Sequence, residues 1–252
     1  MGTRASIAEL RRLGLMAVLR QADSSPKQKV VIDYSSPNIA KRFHIGNLRS
    51  TLIGRFDAKL LSSLGHSVHS INYLGDWGRQ MALIIAYWPK VRPSDSLWNE
   101  TTDGERVRLL TDCYVVANQV MDNDEKFREE VRLLHDRMES IIMQKGPDAA
   151  ELCEWRNIFD VSCRHLQHFY NLFHVHFDQW MRESAEVKRA RDLIDGLVQQ
   201  GVAVRQPDGM IVVPATKEDE DYSLLAKSDG TTLYLTRDVA SLIKRHETIG
   251  AD

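Results

Sequence analysis

The sequence predicts an α/β protein: a parallel sheet covered by helices and interrupted by a mainly helical insertion. Three observations predict it. The β-branched run Val30-Val31-Ile32 is followed by a polar turn, a stretch apolar at helical spacing, and a second strand-like run, Val68–Tyr73. A strand–helix–strand unit of this length crosses over right-handedly and places both strands in one parallel sheet. Residues 94–160 are densely charged, with apolar positions three and four apart, as in helices with solvated outer faces. Beyond them, strand-like and helix-like runs alternate again.

The chain has 252 residues, 43% hydrophobic and 27% charged, enough to bury a sizeable core in one large domain or two small ones. Its formal charge of −2 gives no global field that would attract nucleic acid, so any RNA contact rests on local patches. No apolar run is long enough to span a bilayer, which implies no membrane partner. Cys113, Cys153 and Cys163 are scattered and odd in number, which argues for a reducing compartment and against a disulfide scaffold.

Residues 1–27 read as a leader or linker. From Arg4 to Arg20, Leu10, Leu13, Leu15, Met16 and Leu19 are interspersed with Arg4, Arg11, Arg12 and Arg20, and Glu9 is the one acid in that stretch. This fits an Arg-rich mitochondrial presequence or a short surface helix before a Ser-Ser-Pro linker. The first strand then runs into Ser35-Ser36-Pro37-Asn38, where proline cannot continue as a ladder donor. After His44-Ile45-Gly46-Asn47, the residues Leu48, Leu52, Phe56, Leu60 and Leu64 predict the apolar face of a helix, with Gly65 as its stop. A strand, a Gly-containing turn and a helix N-terminus together offer free N–H groups to a phosphate. The second strand ends in Asn72-Tyr73-Leu74-Gly75-Asp76-Trp77-Gly78-Arg79-Gln80, at the carboxyl edge where open α/β sheets hold ligands.

In the insertion, Val107, Leu110, Tyr114, Ala117 and Met121 predict one helix, and Phe127, Val131, Leu134, Met138 and Ile141 another. Gly146-Pro147 breaks the run, and Asp148 is placed to cap a further helix to about Phe173. His165, His168, His174 and His176, with Cys163, raise the question of a metal site. The expected metal is none, since two of these histidines share a helix face, two alternate in a strand-like run, and no CxxC pair or acidic ligand completes the set. His174–Trp180 reads as a strand, Glu186–Gln200 as a helix stopped by Gly201, Met210–Val213 as a strand, and Lys217–Asp221 as a solvated charged loop. Leu224–Ser228 and Thr231–Thr236 flank Asp229-Gly230, the signature of a two-residue hairpin turn. The second arm runs into Arg237-Asp238 and a helix over Val239–Arg245.

Three of these segments, SSPNIAKRFHIGNLRST, NYLGDWG and SDGTTLYLTRDVASLIKR, resemble the class I arginyl-tRNA synthetases in the order that family has them. The resemblance covers most of residues 28–250. It implies a Rossmann-like class I synthetase catalytic domain, with residues 28–93 and 174–252 as its halves and 94–173 as the inserted segment. Two parts that the family is expected to carry, a KMSKS-type loop and an α-helical anticodon-binding domain, are not found up to Asp252, so the chain reads as an incomplete catalytic domain.

The implied reaction activates L-arginine with ATP, accompanied by Mg2+, to arginyl-adenylate, and passes the arginyl group to the 3′ end of tRNA(Arg). His44, Gly46 and Asn47 occupy the HIGH positions and would serve catalysis and ATP binding, with asparagine where the family has its second histidine. An amide keeps a neutral donor but carries no positive charge. Ser36, Pro37 and Asn38 would bind the arginine backbone end, with Asp33 available to the α-ammonium, and Asn47 would contact the nucleotide or the arginine. Tyr234 and Asp238 would bind the arginine tail, a carboxylate meeting the planar guanidinium fork. Asp76, Trp77 and Gln80 would line or brace the pocket. The alternative is a catalytically inactive nucleotide- or RNA-binding paralogue, motivated by Asn47 and the chain's extent. A small adenylyltransferase is disfavoured by the SSPN and YLTRD segments, and a dinucleotide dehydrogenase by the lack of GxGxxG after any strand. A monomer is expected, in mitochondria or alternatively in the cytoplasm.

Overall fold

A computed structural model describes residues 26–215 and 222–251, together with positions 14 and 17. Most of the leader, residues 1–25 apart from those two positions, and the loop Lys217–Asp221 therefore lie outside the described residues. The first strand, β1 (Lys29–Asp33), leads through the Ser-Pro turn to helix α1 (Ile45–Leu64) and strand β2 (Ser67–Leu74). The two strands pair in parallel, Lys29 opposite Ser67 through Asp33 opposite Ile71. Gly65 ends α1 in the left-handed region at φ 100°, its N–H reaching Leu61 O and Ser62 O.

The buried face of α1 is not the predicted one. Thr51 and Gly54 are its buried residues, while Leu52, Ile53 and Phe56 are exposed, Phe56 by 64%. The reason is proximity. A Cβ on Gly54 would stand 2.1 Å from Tyr34 Cβ, so the helix rides on Tyr34 through its small residues.

Helix α2 (Arg79–Val91), which no apolar spacing had marked, follows β2 and buries Met81, Ala82, Leu83, Ile84 and Trp88. The insertion is helical as expected: α3 (Asp95–Glu100), α4 (Asp103–Asn123), α5 (Glu125–Lys145) and α6 (Cys153–Leu172). Thr102 and Glu105 close a capping box at the start of α4. Asp148 does not cap α6: its carboxylate faces Arg182 at 3.2 Å, and α6 starts without a side-chain cap behind a 3-10 turn, Ala150–Leu152. The strand expected over His174–Trp180 sits later. His174 has φ 50°, and β3 is Gln179–Arg182, paired in parallel with β2 to complete the order β1-β2-β3.

A 3-10 turn, Glu183–Glu186, leads into α7 (Val187–Gln199). Strands β4 (Val204–Arg205), β5 (Ile211–Pro214) and β6 (Tyr222–Ala226) form a separate antiparallel sheet over a small core of Ile194, Ala203, Ile211, Leu225 and Ala226. The predicted hairpin shrinks to one bridge, Ala226 to Thr232. The chain then turns helical, and α8 spans Tyr234–Ile249. Tyr234 and Asp238 thus stand four apart on a helix face, not at a strand end, and Asp238 lies inside the helix, not at its cap.

Candidate active site

The Ser-Pro turn is held in a conformation that few residues adopt. Ser35, Ser36 and Ala40 have φ of 68°, 42° and 55°. Such backbone persists where the surroundings over-determine it, and here they do. Ser36 N–H donates to Asn72 Oδ1 (3.1 Å), and Tyr73 N–H donates to Ser36 Oγ (3.1 Å). Gly75 N–H reaches Pro37 O, Ile39 N–H reaches Gly75 O, and Ala40 N–H reaches Ser162 Oγ, each at 3.1 Å. A chain of hydroxyls then joins this turn to α1 and α6: Thr51 Oγ1 to Ser35 Oγ and Ser35 Oγ to Tyr170 OH, both 2.7 Å.

At the start of α1, His44 is the N-cap. Its Nδ1 accepts from Gly46 N–H (3.1 Å), which leaves the proton of a neutral ring on the exposed Nε2. Asn47 Oδ1 accepts from His44 N–H (3.2 Å), so the residue in the second histidine position closes a capping box. A cavity of about 490 Å³ opens beside Gly46, lined also by Asp33, Tyr34, Arg49 and Ser50.

Both halves of the predicted site meet one loop, Leu74–Gly78. A Cβ on Gly75 would fall 2.0 Å from Asn38 Oδ1, and one on Gly78 would stand 4.0 Å from the Tyr234 hydroxyl. Asn38 and Tyr234 therefore approach two glycines of the same loop. A cavity of about 550 Å³ adjoins Tyr234, with Gly78, Arg79, His135, Thr232 and Arg237 in its walls. Burial pushes the Asp238 carboxyl up, opposed by the nearby guanidinium groups of Arg237 and Arg245.

Asp33 is already engaged: Arg245 meets its carboxylate at 2.8 Å and Ser36 Oγ donates to it. Arg245 also lies over the Tyr73 ring, 5.0 Å from its centroid. Trp77 is a core residue, 3% exposed and edge-on to Trp155, while Gln80 donates to Ile39 O at 3.4 Å. Glu183 and Arg237 form a buried ion pair at 2.7 Å that sequence reasoning missed. A glutamate just after a strand and an arginine beside the singled-out Asp238 were visible, but their meeting across 54 positions was not. Among the described residues, no three His, Cys, Asp or Glu side chains are placed to hold a metal ion.

A parallel sheet with a capped helix start at its carboxyl edge, a helical insertion and a returning strand define the class I synthetase type of catalytic domain. The chain belongs to that family: the family described as tRNA synthetases class I (R), catalytic domain, matches residues 10–252. It is 35% identical over 233 residues to the arginine–tRNA ligase of Haemophilus influenzae (strain PittEE), which covers 90% of this chain. It is 33% identical over 229 residues to a Bos taurus protein named "Probable arginine--tRNA ligase, mitochondrial", and 34% over 244 residues to one named "Probable arginine--tRNA ligase, cytoplasmic" from Schizosaccharomyces pombe. The chain spans 38% of the length of each of these curated relatives. The fold is shared with the crystal structure of Plasmodium falciparum arginyl-tRNA synthetase, with a TM-score of 0.65 and 24% identity over 92% of this chain and 37% of that one. The Thermus thermophilus arginyl-tRNA synthetase gives 0.57 and 21%, over 90% of this chain and 39% of that one.

Proposed function

We propose that the chain carries the arginine-activating site of an arginine–tRNA ligase. The arginine carboxylate attacks the α-phosphorus of ATP, pyrophosphate leaves, and the arginyl group passes to the terminal ribose of tRNA(Arg) in protein synthesis. The observation that carries this reading is the approach of Asn38 and Tyr234 to one loop, in a chain more than 30% identical to arginine–tRNA ligases. In this reading residues 28–93 and 174–252 are the two halves of one nucleotide-binding unit, supported by the pairing of β3 with β2, and 94–173 is inserted between them.

In this reading each residue except Asp33 keeps the role that the family resemblance implies. The exposed His44 Nε2–H and the open start of α1 beside Gly46 face a phosphate, and Asn47 offers its remaining amide N–H. Ser36, Pro37 and Asn38 shape the arginine backbone end. Tyr234 lies along the arginine tail, and Asp238 receives its guanidinium. Asp33, held by Arg245, orders the turn and leaves the α-ammonium to other acceptors. Mg2+ would come with ATP as part of the substrate and would help neutralise the triphosphate charge. Catalysis is then positioning and charge neutralisation more than covalent chemistry by the protein.

One observation favours the inactive alternative. Asn47 earns its place as a capping residue whether or not the site turns over. Arginine-dependent ATP–pyrophosphate exchange, with and without tRNA, separates the two readings. Exchange by the wild type supports the ligase. Silence that Asn47→His relieves, on the order of a hundredfold as for one charge-stabilising donor, supports the inactive relative. Activity with another amino acid in place of arginine overturns the substrate assignment. For location we favour mitochondria, where the bovine relative's name places that protein, and a fluorescent fusion tests it.

A further inference from the structure

The loop that both halves of the site touch contains an aspartate to which the reaction gives no role. Asp76 is completely buried, and among the described residues its carboxylate meets no cation directly. Both its oxygens are taken by one residue 108 positions away: Ser184 N–H donates to Oδ1 (2.8 Å) and Ser184 Oγ donates to Oδ2 (2.7 Å). Ser184 is the second residue of the 3-10 turn Glu183–Glu186, whose own N-cap, Arg182, provides no side-chain cap. Asp76 therefore supplies the missing acceptor from just past the end of the neighbouring strand β2, where Leu74 stands opposite Arg182. Two bonds from consecutive groups of one serine fix both the position and the rotation of the turn.

The turn holds α8. Glu183 Oε1 accepts from Arg237 Nε (2.7 Å), and Arg237 Nη1 also donates to Thr232 Oγ1 (2.9 Å), with Ser184, Glu183, Arg237 and Thr232 all buried. Arg237 sits between Tyr234 and Asp238 in the first turns of α8. The inserted helix α6 reaches the same hub, where Trp155 Nε1 donates to Asp76 O at 2.7 Å. Desolvating a carboxylate is costly unless its bonds are good. The arrangement confines that cost to a residue whose geometry propagates.

We propose that Asp76 is a positioning residue: by gripping Ser184 it holds Glu183 against Arg237 and so fixes the start of α8, where Tyr234 and Asp238 stand. Its effect on arginine use rests on the ligase reading, whereas its effect on α8 does not.

The test compares Asp76→Ala, Asp76→Asn and Ser184→Ala in the full chain, by hydrogen exchange resolved along the sequence and by KM values for arginine and ATP in pyrophosphate exchange. Asparagine can keep both contacts, its carbonyl accepting from Ser184 N–H and its amide donating to Ser184 Oγ. The expected result is that Asp76→Ala speeds exchange in the first turn of α8 on the order of tenfold, the scale of one hydrogen bond to an ionised group, while β1 and β2 keep their protection. Arginine KM rises by a similar factor, ATP KM holds, and Asp76→Asn stays close to wild type. Should Asp76→Ala fail to fold, Ser184→Ala, which leaves the backbone bond to Asp76, carries the same expectation at smaller size. Unchanged α8 exchange, an equal loss of protection in α8 and the β1–β2 pair, or an Asp76→Asn as impaired as Asp76→Ala overturns the proposal. If the wild type shows no arginine-dependent exchange, the ligase reading fails, and the hydrogen-exchange comparison decides the positioning role alone.

Discussion

Asn47 and Asp76 show how a single side chain can serve structure where a motif suggests chemistry. Asn47 closes the box around His44, so Asn47→Ala should cost about 1 kcal/mol of stability, the usual net worth of one hydrogen bond, read as a lower urea midpoint. The Glu183–Arg237 pair is a larger matter. Arg237→Met leaves a buried carboxylate without its partner, and a loss of about 3–5 kcal/mol is expected; a double variant with Glu183→Leu should recover much of it. Burial raises the Asp76 carboxyl to about 6, despite the bonds from Ser184 that lower it. An aspartate ordinarily titrates at about 4. With the folded value raised, the folded chain binds the proton more tightly than the unfolded one. The contribution of Asp76 to stability is therefore fully present below pH 4 and is lost as pH rises from about 4 to about 6. Asp76→Asn should remove that slope from a plot of Tm against pH, and a slope that persists unchanged assigns it to other groups.

Elements behaved differently according to how local their signals were. The stops at Gly65 and Gly201 were readable because a left-handed residue after a helix is a local requirement. The burial of α1 was not readable, because its contact is a close approach to Tyr34 that favours glycine over leucine. Gly54→Ala should accordingly destabilise by several kcal/mol, since the new methyl meets the Tyr34 backbone-proximal atoms and not a flexible end. Gly196, in the middle of α7 with nothing within 4 Å of an added Cβ, is the control: Gly196→Ala should stabilise by about 1 kcal/mol. The Asp-Gly signal after β6 was sound as a turn and misleading as a hairpin. Thr236 Oγ1 donates to Leu225 O at 2.6 Å, and the segment from Tyr234 onward coils over the end of β6 instead of pairing along it.

For the whole molecule, the outward faces of α1 and α8 share one property. Ile45, Leu52, Ile53 and Phe56 on the first, and Leu235 and Leu242 on the second, are open to solvent among the described residues. Such residues contribute little to the fold, so Phe56→Gln or Leu242→Gln should change stability by less than about 0.5 kcal/mol in urea titration. The parallel sheet has the opposite character. It is joined through β2, whose buried Ile71, Asn72 and Leu74 link the first half of the chain to the strand that returns after the insertion.

What the sequence determined by itself was the content of its three motifs, the parallel β1–β2 unit and the helical nature of the insertion, because strand, crossover and capping signals act over a few neighbouring residues. Only the tertiary structure decided which face of α1 is buried, where α8 begins, that Arg245 holds Asp33, and that Asp76 grips Ser184. Each of those outcomes depends on segments far apart in the chain arriving within a few ångströms of one another, and burial and hydrogen bonding at such contacts outweigh local preference.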